Sequence, residues 1–203
     1  MEKKSGFVVG VTMEIKFPDK KYQIIYADPA WQYDDEMKPP RGSAYHYDIM
    51  HNEELEKLPV QNLADENCIL FLWCTYPKLN VVFDLIKAWG FTYKTVAFTW
   101  IKTNKNSNSY FIGMGRWTRS NPELCLLCTK GKPKRISNKV RQLVVSPVGE
   151  HSKKPNEVRN RIIQLVGDLP RIELFARTKV HGWDVWGNDE KLEAQPLEVF
   201  NEV

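Results

Sequence analysis

Long hydrophobic runs are missing from this 203-residue chain. None approaches the roughly 18 residues a membrane-spanning helix needs, so no span is expected. Phe7 to Val11 is too short to form the core of a secretory signal, so an intracellular protein is expected. Cysteine is scarce: four residues, Cys68, Cys74, Cys125 and Cys128, a number that suits a reducing compartment. Cys125 and Cys128 have the spacing of a metal or redox pair. However, they lie in the apolar run 123–129, where positions three apart on a strand face opposite sides, so buried structural thiols are expected. Histidine is just as sparse, and His46, His51, His151 and His181 are too scattered to supply the clustered ligands that zinc requires. No metal site is expected. There is no Gly-x-Gly-x-x-Gly phosphate loop, which argues against an enzyme built on a nucleotide cofactor in the usual dinucleotide-binding manner. No internal repeat or low-complexity segment occurs.

What is present is ordinary globular composition, 42% hydrophobic and 27% charged, at a length that suggests one domain over 1–203. The net charge of +4 is unevenly spread. Residues 102–141 hold ten basic side chains and one acid, Glu123. Such a block reads either as a solvated lysine-rich face or as a surface for a polyanion such as nucleic acid.

The run Tyr22-Gln23-Ile24-Ile25-Tyr26-Ala27 reads as a buried strand. Asp28-Pro29-Ala30-Trp31 follows, and Pro29 cannot continue the ladder, so the chain turns. In open α/β sheets ligands bind at such a strand end. An acid, a carbonyl beside it and an indole suit an exocyclic amine on an aromatic ring, as in adenine; a capped, solvated turn with Trp31 in the core is the alternative. Residues 32–50 form a long loop that includes Arg41 and the Tyr45-His46-Tyr47 run, able to fold over a ligand.

A first strand or ribbon is expected over 7–17. A short helix begins at Asn52, its expected N-cap. Cys68 to Trp73 reads as a central strand, and Pro77 opens a helix ended by Gly90, with Leu79, Val82, Phe83, Ile86 and Trp89 as its apolar stripe. With the strand 95–101 this predicts a right-handed crossover within a largely parallel sheet. In the polar loop 102–121, Lys and Arg alternate with Tyr110, Phe111 and Trp117; cations there suit phosphates and aromatics suit unpaired bases. Strands at 123–129, 140–145 and 171–175, a helix opened by Pro155 with Val158, Ile162, Leu165 and Val166 buried, and a last strand within 181–188 complete the reading. Lys154, beside a helix N-terminus, suits a carboxylate or phosphate.

Four blocks occur in order: Ala27-Asp28-Pro29-Ala30-Trp31; Gly115-Arg116-Trp117-Thr118-Arg119 with Glu123 and Leu126; His151-Ser152-Lys153-Lys154-Pro155 with Glu157-Val158; and Ile172-Glu173-Leu174-Phe175-Ala176-Arg177 with Gly182-Trp183-Asp184-Val185-Trp186-Gly187-Asn188. Over residues 22–190 the chain resembles the adenine N(6)-methyltransferase family that includes the writers of methyladenosine in eukaryotic messenger RNA, in a compact bacterial or phage-encoded form. The resemblance implies an α/β, Rossmann-like methyltransferase dependent on S-adenosyl-L-methionine, with a mostly parallel sheet, helices on both faces, and the catalytic motif ahead of the cofactor motif. It implies that Asp28 and the Pro29 carbonyl hold the target amine and that Trp31 walls the adenine pocket. Lys154, Phe175, Arg177, Asn188, Asp28 and, less directly, Glu173 would meet the cofactor. Tyr33, Arg41, Tyr45, His46, Tyr110, Arg116, Trp117 and Arg119, on the loops 32–50 and 102–121, would contact nucleic acid. DNA is the expected substrate in the cytoplasm of a bacterial or phage-infected cell. RNA, or a non-catalytic nucleic-acid-binding subunit, is the alternative, and the chain is expected to be a monomer, a dimer or the partner of a second subunit. The sequence departs from the family pattern at Ala30, where a second proline is usual, and at Asp189, where some relatives carry Gln.

Overall fold

The computed structural model describes residues 17–31, 50–107, 109–115, 117–149, 153–187 and 194–195. The ribbon expected over 7–17 therefore lies outside the described residues except for Phe17, as do Tyr33, Arg41, Tyr45, His46, Arg116 and Asn188.

Among the described residues the order is β1 (Tyr22–Ala27), α1 (Asn52–Lys57), β2 (Ala64–Cys74), α2 (Leu79–Ala88), β3 (Thr92–Thr103), β4 (Glu123–Lys130), β5 (Leu143–Pro147), α3 (Glu157–Val166), β6 (Arg171–Leu174), β7 (Lys179–Val180), β8 (Asp184–Trp186) and β9 (Ala194–Gln195). Seven of these strands make one sheet in the order β5-β3-β4-β2-β1-β6-β8, and β7 pairs with β9. The sheet is parallel except at β4, which runs antiparallel to both of its neighbours. This is an α/β, Rossmann-like sheet with helices on both faces.

Strand alternation explains the two-sided burial. In β2, Cys68, Leu70, Leu72 and Cys74 face the side where α1 and α2 bring Leu55, Val82, Leu85 and Ile86. Ile69, Phe71 and Trp73 face the side where α3 brings Val158, Ile162 and Val166. A strand buried on both faces needs a continuous apolar sequence, and 68–74 supplies it. Each large side chain taken fully out of water stabilises the fold by roughly 1.5–3 kcal/mol before chain entropy is counted. Cys125 and Cys128 fall in opposite cores, as strand periodicity requires, and all four cysteines are free and buried. Burial pushes the thiols of Cys68, Cys74 and Cys128 up to about 12 and that of Cys125 well above its ordinary value. Such thiols are unreactive near neutral pH.

Three local expectations are corrected. The β2–α2–β3 unit does not set two neighbouring strands side by side, because β4 is inserted between them. On α2, Leu85 joins the buried stripe while Phe83 stays 40% exposed, its ring packed edge-on against Tyr93 at 5.3 Å. Asn52 is the first helical residue of α1 rather than its cap; the Glu54 carboxylate accepts from the His51 backbone N–H one residue earlier, at 2.8 Å. Gly90, at φ 78°, ends the α2 turn as expected.

Candidate active site

The parallel strands deliver their C-terminal ends to one edge of the sheet, where open α/β folds bind ligands. Asp28 leaves the end of β1 there. Because β4 runs the other way, it begins at the same edge, and its first residue, Glu123, pairs in register with Trp100. Lys154 reaches this edge from the segment ahead of α3. Its Nζ donates to Asp28 Oδ2 at 2.7 Å and lies 3.3 Å from Glu123 Oε2. Lys102, at the end of β3, donates to Glu123 Oε1 at 2.5 Å. The result is an alternating row, Asp28–Lys154–Glu123–Lys102, whose inner members are the more buried: Lys154 and Glu123 side chains are 9% and 10% exposed. The lysines also lie over indole rings, Lys154 at 5.5 Å from the Trp73 centroid and Lys102 at 5.1 Å from Trp100.

Burial by itself would raise the Glu123 carboxyl, but the Lys154 and Lys102 ammonium groups outweigh it and hold the carboxyl below its ordinary range. Burial likewise would lower Lys154, and the Asp28 and Glu123 carboxylates outweigh that and hold it above its ordinary value. Both groups are therefore charged at neutral pH.

The turn itself is tightly fixed. The Trp31 backbone N–H donates to the Pro29 carbonyl at 2.9 Å, and the indole N–H donates to the Trp73 carbonyl at 3.2 Å. Trp31 is only 7% exposed and belongs to the α1/α2 core, so its ring is mainly a wall and an anchor for the turn. The Pro29 oxygen keeps a second lone pair after accepting from Trp31.

At the end of β6 stands Phe175, at φ 61°, the non-glycine residue with positive φ among the described residues. Such a conformation is costly for a bulky side chain, of order 1–3 kcal/mol, and residues of this kind cluster at ligand clamps. The Phe175 ring meets Trp186 at 5.5 Å, and the next N–H, of Ala176, donates to the Trp186 carbonyl at 3.1 Å. Gly187 passes so close that a Cβ there would lie 2.5 Å from the Ala176 oxygen. Arg177 follows, half-buried.

Glu173 has a partner within the fold. It points to the opposite face from Ile172 and Leu174, under α3, where Arg159 Nε and a terminal guanidinium nitrogen each donate to one of its oxygens at 2.7 Å. This carboxylate ties β6 to α3.

The 102–121 loop leaves β3 and returns to β4 at the site edge. Asn121 clamps its base: its Nδ2 donates to the Lys102 and Phe111 carbonyls at 2.8 and 2.6 Å, and its Oδ1 accepts from the Lys102 N–H at 3.0 Å. From this clamped base Tyr110, Ile112, Met114 and Trp117 project into solvent, Trp117 with no burial at all. Arg119 donates to the Met114 carbonyl at 3.4 Å. Apolar and aromatic side chains held out together mark a contact surface. The basic block, by contrast, is not one surface. β4 carries the chain roughly 24 Å away, at about 3.4 Å per residue. Exposed Lys132, Lys134 and Arg135 consequently fall toward the opposite edge from Asp28, where the Lys132 N–H donates to Asn67 Oδ1 near the start of β2 and the Ile136 N–H to the Leu165 carbonyl near the end of α3; Arg141 lies back along the sheet, two residues before Leu143, which pairs with Thr99.

Glu123 and Lys102 are site residues that sequence reasoning missed. The available signal was a lone acid in a block of ten cations, at the head of an apolar strand.

A mostly parallel Rossmann-like sheet that gathers an acid, a lysine and a strained aromatic turn at its C-terminal edge fits the architecture of an S-adenosylmethionine-dependent methyltransferase, the class of the family whose model the chain matches. The chain belongs to the MT-A70 family, whose model matches residues 22–189. It is 37% identical over 200 residues to the Type II methyltransferase M.MunI from Mycoplasma sp, covering 88% of this chain and 83% of that one. It is 33% identical over 172 residues to the putative N(6)-adenosine-methyltransferase MT-A70-like protein of Medicago truncatula, covering 83% of this chain and 26% of the relative. It is 29% identical over 159 residues to the N(6)-adenosine-methyltransferase catalytic subunit METTL3 of Homo sapiens, covering 77% and 26%. The chain thus spans about a quarter of those two eukaryotic relatives. No helix among the described residues is long and apolar enough to cross a membrane.

Proposed function

We propose that this chain transfers the methyl group of S-adenosylmethionine to the exocyclic amine of adenine in DNA, at sites chosen by base context. The observation that carries the reading is the Asp28–Pro29 turn, fixed at the ligand-binding edge of the sheet with Lys154 2.7 Å from Asp28. An adenine amine is a poor nucleophile because its lone pair is delocalised into the ring. Asp28 accepts one of its hydrogens and the Pro29 carbonyl the other, which favours a pyramidal nitrogen whose lone pair points outward. Orientation of this kind supplies several kcal/mol, up to roughly 7–11 in the best cases. Trp31, anchored in the α1/α2 core, backs the turn as its wall.

The donor set at the edge fits the cofactor chemically: Lys154 for its carboxylate, the turn at Phe175 and Arg177 for its adenosine, and Asn188, outside the described residues, for its ribose hydroxyls. When bound, the cofactor supplies an already activated methyl group on a sulfonium, so the residues need only bind, orient and exclude water. Lys154→Ala is expected to raise the dissociation constant for S-adenosylmethionine at least about tenfold in isothermal titration calorimetry, since a charge-assisted contact is lost; an unchanged constant contradicts the assignment.

Tyr110, Trp117 and Arg119 would carry the nucleic acid, and Arg116, Tyr33, Arg41, Tyr45 and His46, outside the described residues, are proposed to share that role. Trp117→Ala is expected to weaken DNA binding by about 1–3 kcal/mol, the worth of one stacked base. Its melting temperature should not move, because the ring is fully exposed. Fluorescence anisotropy together with a melting curve checks both halves. The name of the Mycoplasma relative favours DNA, and the names of the plant and human relatives favour RNA as the second reading. The deciding experiment incubates purified protein and labelled cofactor with a random-sequence plasmid and with RNA of matched composition, then maps the modified positions. Methyl groups at adenines in a shared DNA context support the reading. Label confined to RNA, or to cytosine, refutes it.

A further inference from the structure

Lys102 touches neither the turn nor the strained end of β6, yet it completes the row of alternating charges beneath them. Its ammonium occupies Glu123 Oε1, leaving Oε2 to Lys154, which is 3.3 Å from that oxygen and 2.7 Å from Asp28. We propose that Lys102 is a positioning residue for methyl transfer: by neutralising Glu123 it keeps Lys154 on Asp28 instead of letting the lysine collapse onto Glu123. The inference rests on the function proposed above and adds a residue that acts through two others.

The geometry makes the competition specific. Lys154 stands between two carboxylates, and each pulls on the same ammonium. Lys102 weakens the pull of one of them by pairing with it. Its own position is fixed from two sides. The Asn121 side chain bonds both its N–H and its carbonyl, and its ammonium rests over the Trp100 ring. Without Lys102 a buried carboxylate faces Lys154 alone, in surroundings where an opposite charge within a few ångströms is felt strongly.

Two consequences follow. With the lysine removed, Glu123 loses a major reason for its lowered carboxyl, while the burial that raises it remains. Its ionisation then moves upward. Below that point Glu123 is neutral and releases Lys154 to Asp28. Above it Glu123 is charged and draws Lys154 away. The other groups around it are Lys154 from the segment ahead of α3, Asp28 beyond that lysine, and the Cys74 thiol of β2, itself near Lys78; Cys125 of β4 faces Asp28 and Lys154. The two thiols lie too high to titrate near neutral pH, with Cys74 pushed up to about 12.

The test compares kcat/KM for labelled methyl transfer to adenine-containing DNA across mildly acidic to mildly alkaline buffers, for wild type, K102M, K102R and the double variant K102M/E123Q, each checked by thermal melting. The expected result is a loss in K102M of at least about tenfold at the alkaline end. That loss should shrink as pH falls, K102R should keep the wild-type profile, and K102M/E123Q should lie above K102M with no pH-dependent loss. Should K102M not fold, K102Q, whose amide still donates to Glu123, carries the same comparison with K102Q/E123Q. A ratio to wild type that is constant with pH, or a double variant no better than the single one, overturns the proposal. A wild-type protein that transfers no methyl group to any adenine refutes the proposed function instead, so the two failures are distinct.

Discussion

Asp28→Ala is expected to lower kcat for methyl transfer by about 10²–10³-fold, the usual cost of removing one preorganised polar contact to a reacting centre. The fold should survive. Asp28 is not a core residue, and the lysine it leaves behind still has Glu123 3.3 Å away, so no buried cation is stranded. The melting temperature and most of the cofactor affinity should therefore persist while turnover collapses. Asp28→Asn separates charge from geometry. Its amide oxygen can still accept one amine hydrogen, so an intermediate rate is expected. Equal rates in wild type and Asp28→Ala, measured by labelled methyl incorporation under saturating cofactor, contradict the role of the acid.

The largest effect on stability is expected at Arg159→Met. Arg159 and Glu173 side chains are 7% and 8% exposed and joined by two hydrogen bonds of 2.7 Å, with the guanidinium also 5.6 Å from the Tyr26 ring centroid. Removing one partner of a buried pair leaves an uncompensated charge and typically costs about 3–5 kcal/mol, whereas replacing both is often close to neutral. For a chain of this length such a loss lowers Tm by about 6–20 °C. The double variant R159M/E173Q should recover most of it, and urea denaturation of the two proteins measures the difference. A double variant as unstable as the single one would mean that packing of the Arg159 stem, rather than the pair, holds α3 to β6.

The strands at 22–27, 68–73, 95–101 and 123–129 were legible in the sequence because a sheet covered on both faces demands uninterrupted apolar runs. The same uniformity hid the direction of each strand. Nothing in Glu123-Leu-Cys-Leu-Leu-Cys-Thr129 says that it runs antiparallel between β2 and β3. Strand direction, in turn, decides what lies at the site. An antiparallel β4 places Glu123 at the Asp28 edge and sends Lys132, Lys134 and Arg135 to the opposite one, so a block continuous in sequence is divided in space. The Asp28 turn and Lys154 were legible as chemistry, since an acid after a strand and a lysine before a helix are local patterns. Their contact was not, because it joins residues 126 positions apart. The partner of Glu173 was hidden for a similar reason: strand alternation turns it under α3, where a residue fourteen positions earlier takes it. Phe175 carried no sequence signal of strain, because a positive φ is expected of glycine or asparagine rather than of a bulky aromatic residue.

The most direct test of the central claim is a crystal structure of the protein with S-adenosylhomocysteine and a DNA duplex carrying a methylatable adenine. The account predicts that adenine turned out of the stack, a step costing a few kcal/mol. Its amine nitrogen should lie about 3 Å from both an Asp28 oxygen and the Pro29 carbonyl. An adenine that stays stacked, or a turn closed by the protein's own side chains with Asp28 out of reach of any base, would contradict it.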